Sequence, residues 1–262
     1  QSGNKANCFT TVTVVDPIVP VALCRNLMVN IGSNGSVTVL PEQINNGSSD
    51  NCSFTLSLTP GTFTCENIGT NTVVLQVTDA GGNSATCTAT VTVRDASPPT
   101  AMCKNPEIFL DEVGEATISF ADVDNGSSDN CGLSTVTLSR TQFNCSELSG
   151  SPWAVNVTLT DAYNNTSTCL AYVTVKDAIA PDAVCEDVTV NLGQNGTVTV
   201  FPSNLAENST DNCAVWSYSP TAKVYTTSNL GNNNLTITVK DWSNNATTCV
   251  SVVTVLPYNG FT

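Results

Sequence analysis

Apolar and polar residues alternate in short runs along the chain, as in Ser36-Val37-Thr38-Val39-Leu40, Thr72-Val73-Val74-Leu75-Gln76-Val77 and Thr88-Ala89-Thr90-Val91-Thr92-Val93. Alternation of period two, rich in Val and Thr and broken by Asn-Gly, Pro-Gly and Gly-Gly, predicts half-buried antiparallel strands. No window carries a convincing helical period.

The pattern then repeats. Cys8, Cys87, Cys169 and Cys249 each sit in a copy of one strand, seen as Val12-Thr13-Val14, Val91-Thr92-Val93, Val173-Thr174-Val175 and Val253-Thr254-Val255. The cysteines lie 79, 82 and 80 residues apart by subtraction, and a fixed period of this size means tandem domains. About seven strands in each period predicts an all-β chain of three immunoglobulin-like β-sandwiches in an extended array. Four copies of the strand flank only three complete bodies. The expected organisation is therefore an isolated N-terminal strand (1–17), repeat 1 (18–98), repeat 2 (99–180) and repeat 3 with a C-terminal tail (181–262). Proline-bearing linkers such as Asp95-Ala96-Ser97-Pro98-Pro99 open the repeats.

Composition narrows the function. Hydrophobic residues make up 40% of the chain and charged residues only 11%, so Asn, Ser and Thr carry the polar surface. Those short side chains favour strands and turns. A net charge of −14 without a basic cluster argues against nucleic acid and anionic lipid. No stretch is long and apolar enough to span a bilayer. The lack of an initiator Met and of a signal peptide reads as a processed or partial chain. Twelve cysteines at recurring positions read as a disulfide framework in an oxidising, extracellular setting. Zinc is the rival, but there is no His and no Cys-x-x-Cys.

The pattern Cys24…Ser49-Asp50-Asn51-Cys52…Thr78-Asp79-Ala80-Gly81-Gly82-Asn83…Cys87…Val91-Thr92-Val93…Asp95…Pro98 resembles the hyalin repeat (HYR) domain. That resemblance implies an immunoglobulin-like sandwich associated with cell adhesion. The four-cysteine form with Asp-Asn-Cys is similar to repeats of large secreted surface proteins of Bacteroidetes-type bacteria. It implies structural or adhesive work outside the cell rather than chemistry.

Repeat 1 holds first to fourth cysteines Cys24, Cys52, Cys65 and Cys87, and repeat 2 holds Cys103, Cys131, Cys145 and Cys169. Repeat 3 has Cys185, Cys213 and Cys249, with Thr227 near the third place. Spacing alone does not fix connectivity. The simplest members of the resembled family keep only the first and fourth cysteines, and first and last strands of such a sandwich are neighbours. Together these favour Cys24–Cys87, Cys103–Cys169 and Cys185–Cys249, with Cys52–Cys65 and Cys131–Cys145. Cys8 and Cys213 are then left over as candidates for a bond between subunits. The alternative is Cys8–Cys24, Cys87–Cys103, Cys169–Cys185 and Cys213–Cys249.

Three Asp positions recur with the cysteines: the linkers (Asp16, Asp95, Asp177), the residue two before the second cysteine (Asp50, Asp129, Asp211) and the turn before the last strand (Asp79, Asp161, Asp241). In such a sandwich these loops converge at the junctions, where hard oxygen ligands suit interdomain Ca²⁺. The competing reading is that Asp caps turns. About twelve Asn-x-Ser/Thr sequons, among them Asn34, Asn156, Asn195, Asn208, Asn234 and Asn245, are candidate glycosylation points. Trp153, Trp216, Tyr218 and Trp242 suggest either core packing or a platform for surface glycans.

No catalytic residue and no cofactor beyond Ca²⁺ is indicated: there is no His, Gly-x-Ser-x-Gly elbow, phosphate loop or paired Glu site. The expected role is a subunit or segment of a disulfide-stabilised extracellular filament. An adhesin stalk and a carbohydrate-binding module are the alternatives. Residues 1–16 either end an upstream repeat of a longer array or are donated head to tail to a neighbouring subunit. Tyr258 and Phe261 on the polar tail are candidates to dock on the next unit.

Overall fold

The computed structural model describes residue 3 and residues 5–260. Repeat 1 comprises β1 (Leu27–Asn30), β2 (Ser36–Thr38), β3 (Phe54–Thr59), β4 (Thr62–Thr64), β5 (Gly69–Asp79) and β6 (Ser84–Arg94). One sheet has the order β1-β6-β5-β3, and β2 pairs with β4 in a second. β1 runs parallel to β6, with Leu27 opposite Val91, whereas β5 is antiparallel to both β6 and β3.

The same plan recurs twice. Repeat 2 has β7 (Glu107–Phe109), β8 (Glu115–Thr117), β9 (Leu133–Leu138), β10 (Gln142–Asn144), β11 (Trp153–Asp161) and β12 (Thr166–Lys176). Repeat 3 has β13 (Val188–Asn191), β14 (Thr197–Val200), β15 (Val215–Ser219), β16 (Lys223–Thr226), β17 (Gly231–Asp241) and β18 (Ala246–Leu256). Their sheets are β7-β12-β11-β9 with β10-β8, and β13-β18-β17-β15 with β14-β16. The chain is all-β, with three immunoglobulin-like units of six strands each. By internal contacts it divides into two compact units. One takes in the chain up to Thr100 with Ser128–Thr135 and Leu159–Ser167; the other takes in Ala101–Ser127, Val136–Thr158 and the chain from Thr168 onward. The boundary cuts through repeat 2, so each of the loop clusters described below lies wholly inside one unit.

Alternation translates directly into burial. Along β5 every second residue from Val73 to Asp79 is buried, and along β6 Ala89, Val91 and Val93 face the same way. With Ile31, Val39, Ile44, Phe63 and Leu75 they form the core of repeat 1; Tyr225, Leu235, Ile237, Val239, Val253 and Val255 do the same in repeat 3. Each such side chain contributes about 1.5–3 kcal/mol relative to exposure. One-turn helices at Pro41–Ile44, Phe120–Val123 and Pro202–Leu205 went unannounced by the pattern, being too short for a helical period.

The expected N-terminal strand is not formed. Its described residues, from Lys5 on, pair with no sheet, and Phe9, Val12, Val14 and Val15 are exposed. The reason is topological. The place this sequence would take is already filled by β6, β12 or β18, which sit second in their sheets between two neighbours. In the tail, Tyr258 remains about half exposed. Tyr258 folds back on repeat 3, where its hydroxyl accepts a hydrogen bond from Gln194 Nε2 at 2.8 Å. Phe261 lies outside the described residues.

Candidate functional site

The turn between the two longest strands builds the first part of the site. In repeat 2, Asp161 Oδ1 accepts from the Tyr163 and Asn165 amides at 2.7 and 2.9 Å, and Oδ2 accepts from Asn165 Nδ2 at 2.7 Å. Asn164 takes the left-handed backbone (φ 66°) that this turn needs, as do Gly82 and Asn244 in the other repeats. Asn165 Nδ2 also reaches the linker, donating to the Asp95 carbonyl at 3.3 Å. Asn245 does the same towards Asp177 O at 3.1 Å, and Asn83 towards Asp16 O at 2.9 Å. The amide nitrogen of Asn245, a sequon residue, is thus bonded to both Asp241 and Asp177. Asn34, Asn156, Asn195, Asn208 and Asn234 are exposed.

The Asp-Asn-Cys loop supplies the second part. Asp129 Oδ2 accepts from the Cys131 amide at 2.8 Å. Asn130 Nδ2 donates to Asp95 Oδ1 and to Gly32 O, so it bridges repeats 1 and 2. Asn212 repeats this with Asp177 Oδ1 and Asp111 O. Gly35 and Gly114 are required here. Both have positive φ, and a Cβ on Gly114 would stand 2.5 Å from Cys145 Sγ and 2.7 Å from Asn212 O.

These contacts bring carboxylates together. Ligand atoms of Asp95, Asp129 and Asp161 all lie within 4.8 Å of one another, as do those of Asp177, Asp211 and Asp241. Asp95, Asp161, Asp177 and Asp241 are buried. Asp95 Oδ2, Asp129 Oδ1 and Asn130 Oδ1 have no hydrogen-bond partner, and neither do Asp177 Oδ2, Asp211 Oδ1 and Asn212 Oδ1. Leaving buried polar atoms unpaired is costly, more so when they carry like charge. No basic side chain offsets them: the ion pairs among the described residues are Arg140–Glu147 and Lys176–Glu107. An all-oxygen donor set of this kind fits Ca²⁺, which takes six to eight oxygen ligands. At the N-terminal end the set differs. Asp16 and Asp50 gather with Cys52 instead of Asp79. The Cys52 thiol is exposed beside Asp16, and hydrogen bonding to that carboxylate, then desolvation and the charges of Asp16, Asp50 and Asp79, raise its pKa. Asp16 is lowered, first by the Ile18 amide and then by that thiol.

Disulfides stand beside the two complete clusters. Cys24–Cys87, Cys103–Cys169 and Cys185–Cys249 tie first to fourth positions within repeats. The other two bonds are Cys65–Cys131 and Cys145–Cys213, each joining the third cysteine of one repeat to the second of the next. The expected Cys52–Cys65 and Cys131–Cys145 bonds are therefore incorrect, as are Cys8–Cys24, Cys87–Cys103, Cys169–Cys185 and Cys213–Cys249. Cys213 is paired, and the two free cysteines are Cys8 and Cys52. Strand direction explains the correction. β3 runs opposite to β5, and β4 continues in the direction of β3 in the other sheet, because the Thr59–Gly61 corner crosses between sheets. Cys52 and Cys65 thus lie at opposite ends of repeat 1, separated by roughly 30 Å of strand path, far beyond disulfide reach.

The aromatic residues divide. Trp153 Nε1 donates to Glu147 O, and Tyr218 packs on the repeat 3 core. Trp216 and Trp242 are exposed and stack with ring centroids 5.0 Å apart. Trp242 borders a cleft of about 910 Å³ that also touches Asp177, Cys145 and Cys213.

No family model matches the chain. It is similar to hyalin of Strongylocentrotus purpuratus, at 28% identity over 214 residues, or 76% of this chain. The chain spans 18% of that protein's length. Among solved structures it is similar to protocadherin gamma B7 extracellular cadherin domains 1–4 (13% identity, 90% of this chain and 75% of that one, TM-score 0.41). It is also similar to titin domains I67–I69 (10% identity, 90% and 98% covered, TM-score 0.39). The sequence likeness supports a hyalin-repeat type of chain; the assignment of fold rests on the strand order above.

Proposed function

We propose that the chain is a structural segment of an extracellular adhesive stalk, in which each junction between repeats is locked by one disulfide and one Ca²⁺ ion. The observation that carries this reading is the pairing of a repeat-to-repeat disulfide with buried carboxylate oxygens that no protein group satisfies, found twice at equivalent positions. Asp95, Asp129, Asp161 and Asn130 would hold one ion, and Asp177, Asp211, Asp241 and Asn212 the other. The ion supplies positive charge that offsets the crowded carboxylates and fixes the loops of two repeats against each other. Likeness to hyalin and the five disulfides support an extracellular, adhesive setting, on a bacterial surface by the resemblance of the Asp-Asn-Cys repeats. Calorimetric titration with Ca²⁺ tests it. Two ions should bind per chain, falling to one in Asp161→Asn or Asp241→Asn; no binding at millimolar Ca²⁺ would refute the cation half of the reading.

A glycan-binding role is a second reading, favoured by the stacked Trp216–Trp242 pair. Trp242 stands where the other repeats carry Ala80 and Ala162, so the platform belongs to repeat 3 alone. Binding on a glycan array that Trp242→Ala abolishes would support it; an array with no hits would remove it.

A further inference from the structure

We infer that residues 8–16 and Cys52 form one composite docking site for a further hyalin-like repeat body, one that lacks its own last strand and carries first- and third-position cysteines. Four observations lead there.

The segment copies β6, β12 and β18, yet its side chains have nothing to pack on. Val12 and Val14 are 78% and 92% exposed, whereas their counterparts Val91 and Val93 are fully buried, as are Val253 and Val255 to within 1%. In each sheet that strand sits between the first and fifth strands of the repeat. A body without it has two facing strand edges, and residues 8–16 would supply main-chain hydrogen bonds to both.

The two free thiols address the same body. Cys8 corresponds to Cys87, Cys169 and Cys249, each bonded to a first-position cysteine. Cys52 corresponds to Cys131 and Cys213, each bonded to the third-position cysteine of the repeat before it.

The loops around Cys52 are already set for that bond. Asp50 Oδ2 accepts from the Cys52 amide at 2.8 Å, as Asp129 does from Cys131 and Asp211 from Cys213. Asn51 Nδ2 donates to Asp16 Oδ2, in the manner of Asn130 with Asp95. Asp50 Oδ1 is left without a partner, as are Asp129 Oδ1 and Asp211 Oδ1.

A second copy of this chain does not fit as the partner. Its three bodies have their last strands, its first-position cysteines are bonded, and so are Cys65 and Cys145. Repeat 3 offers Thr227 at the third position. Each new bond forms from two thiols and a small disulfide such as glutathione disulfide: the protein sulfurs are oxidised to one S–S bond and two glutathione thiols are released.

The body can come from upstream in a longer chain or from a separate subunit, and two arms of one experiment distinguish these. In the first, residues 99–163 carrying Cys131→Ser are fused directly ahead of Gly3 of the whole chain. In the second, the same body is co-expressed with the chain as a separate polypeptide in an oxidising compartment. Peptide mapping without reduction, with chelator present, is the readout. The expected bonds join Cys8 to Cys103 of the added body and Cys52 to its Cys145, and the thiol count of the chain falls from two to none. Cys145→Thr in the added body should free Cys52 while leaving Cys8 bonded. Bonds in the fused arm alone identify an upstream repeat; bonds in both arms identify a repeat that a separate subunit can supply. If Cys24–Cys87 and Cys65–Cys131 map intact while Cys8 and Cys52 stay free in both arms, the inference is overturned. It rests on reading the chain as a locked repeat segment but not on Ca²⁺, so failure of the titration above and failure here are separable.

Discussion

The junction loops at Asp95 and Asp177 and those at Asp16 share the same Asp, Asn and Cys positions, yet they end in different states. At the first two, a third-position cysteine from the repeat before reaches the Asp-Asn-Cys loop, and three carboxylates close around a common point. At the third, the same loop presents a free thiol to Asp16, Asp79 stands outside the cluster, and the strand carrying Cys8 lies unpaired. Local sequence therefore builds the loop, but a neighbouring repeat body completes the junction.

The largest effect expected from breaking a closed junction is that of its disulfide. Cys145→Ser with Cys213→Ser should destabilise the chain by about 2–4 kcal/mol in urea unfolding. Cys52→Ser, which removes the equivalent thiol from the open junction, should leave the midpoint unchanged. Chelation comes next. At a free Ca²⁺ concentration 100 times the dissociation constant, one saturated site adds about 2.7 kcal/mol, so EDTA should lower the thermal midpoint of the wild-type chain. In the Asp161→Asn, Asp241→Asn double variant EDTA should have no effect.

The two copies of the strand give a third contrast. Val91→Ala should cost about 2 kcal/mol through lost burial and a cavity, whereas Val12→Ala should stay within about 0.5 kcal/mol. The smallest effect is local. Asp16→Asn removes the carboxylate that holds the Cys52 proton, so the pKa of that thiol should fall. At pH 8 more of it would be thiolate, and alkylation of Cys52, followed by mass spectrometry, should quicken. An unchanged rate would show that Asp16 does not control the thiol.

Much of this was legible in the sequence, for physical reasons that also explain the rest. Strands such as β5 and β6 are long, amphipathic and period-two, so Val73, Leu75, Val91 and Val93 announce both element and face. The Cys24–Cys87 bond is favoured jointly by the resembled family's first and fourth cysteines and by neighbouring first and last strands. The recurring Asp positions are visible in the sequence, but the part that Asn130, Asn212, Asn165 and Asn245 play in orienting them is not, because it depends on loops that only the fold brings together. The junction disulfides were not legible. Pro60-Gly61 reads as a turn between antiparallel strands, whereas the chain crosses between sheets there and keeps its direction. Local sequence does not distinguish a reversal from a crossing, because the difference lies in which partner β4 finds. The unpaired state of residues 5–16 was illegible for a related reason: strand propensity was present, but a strand also needs a free edge.

Peptide mapping of the unreduced chain tests the central claim most directly. The account expects Cys65–Cys131 and Cys145–Cys213 alongside the three bonds within repeats, with Cys8 and Cys52 alone captured by an alkylating reagent. Recovery of Cys52–Cys65 and Cys131–Cys145, with Cys213 alkylated, would contradict it.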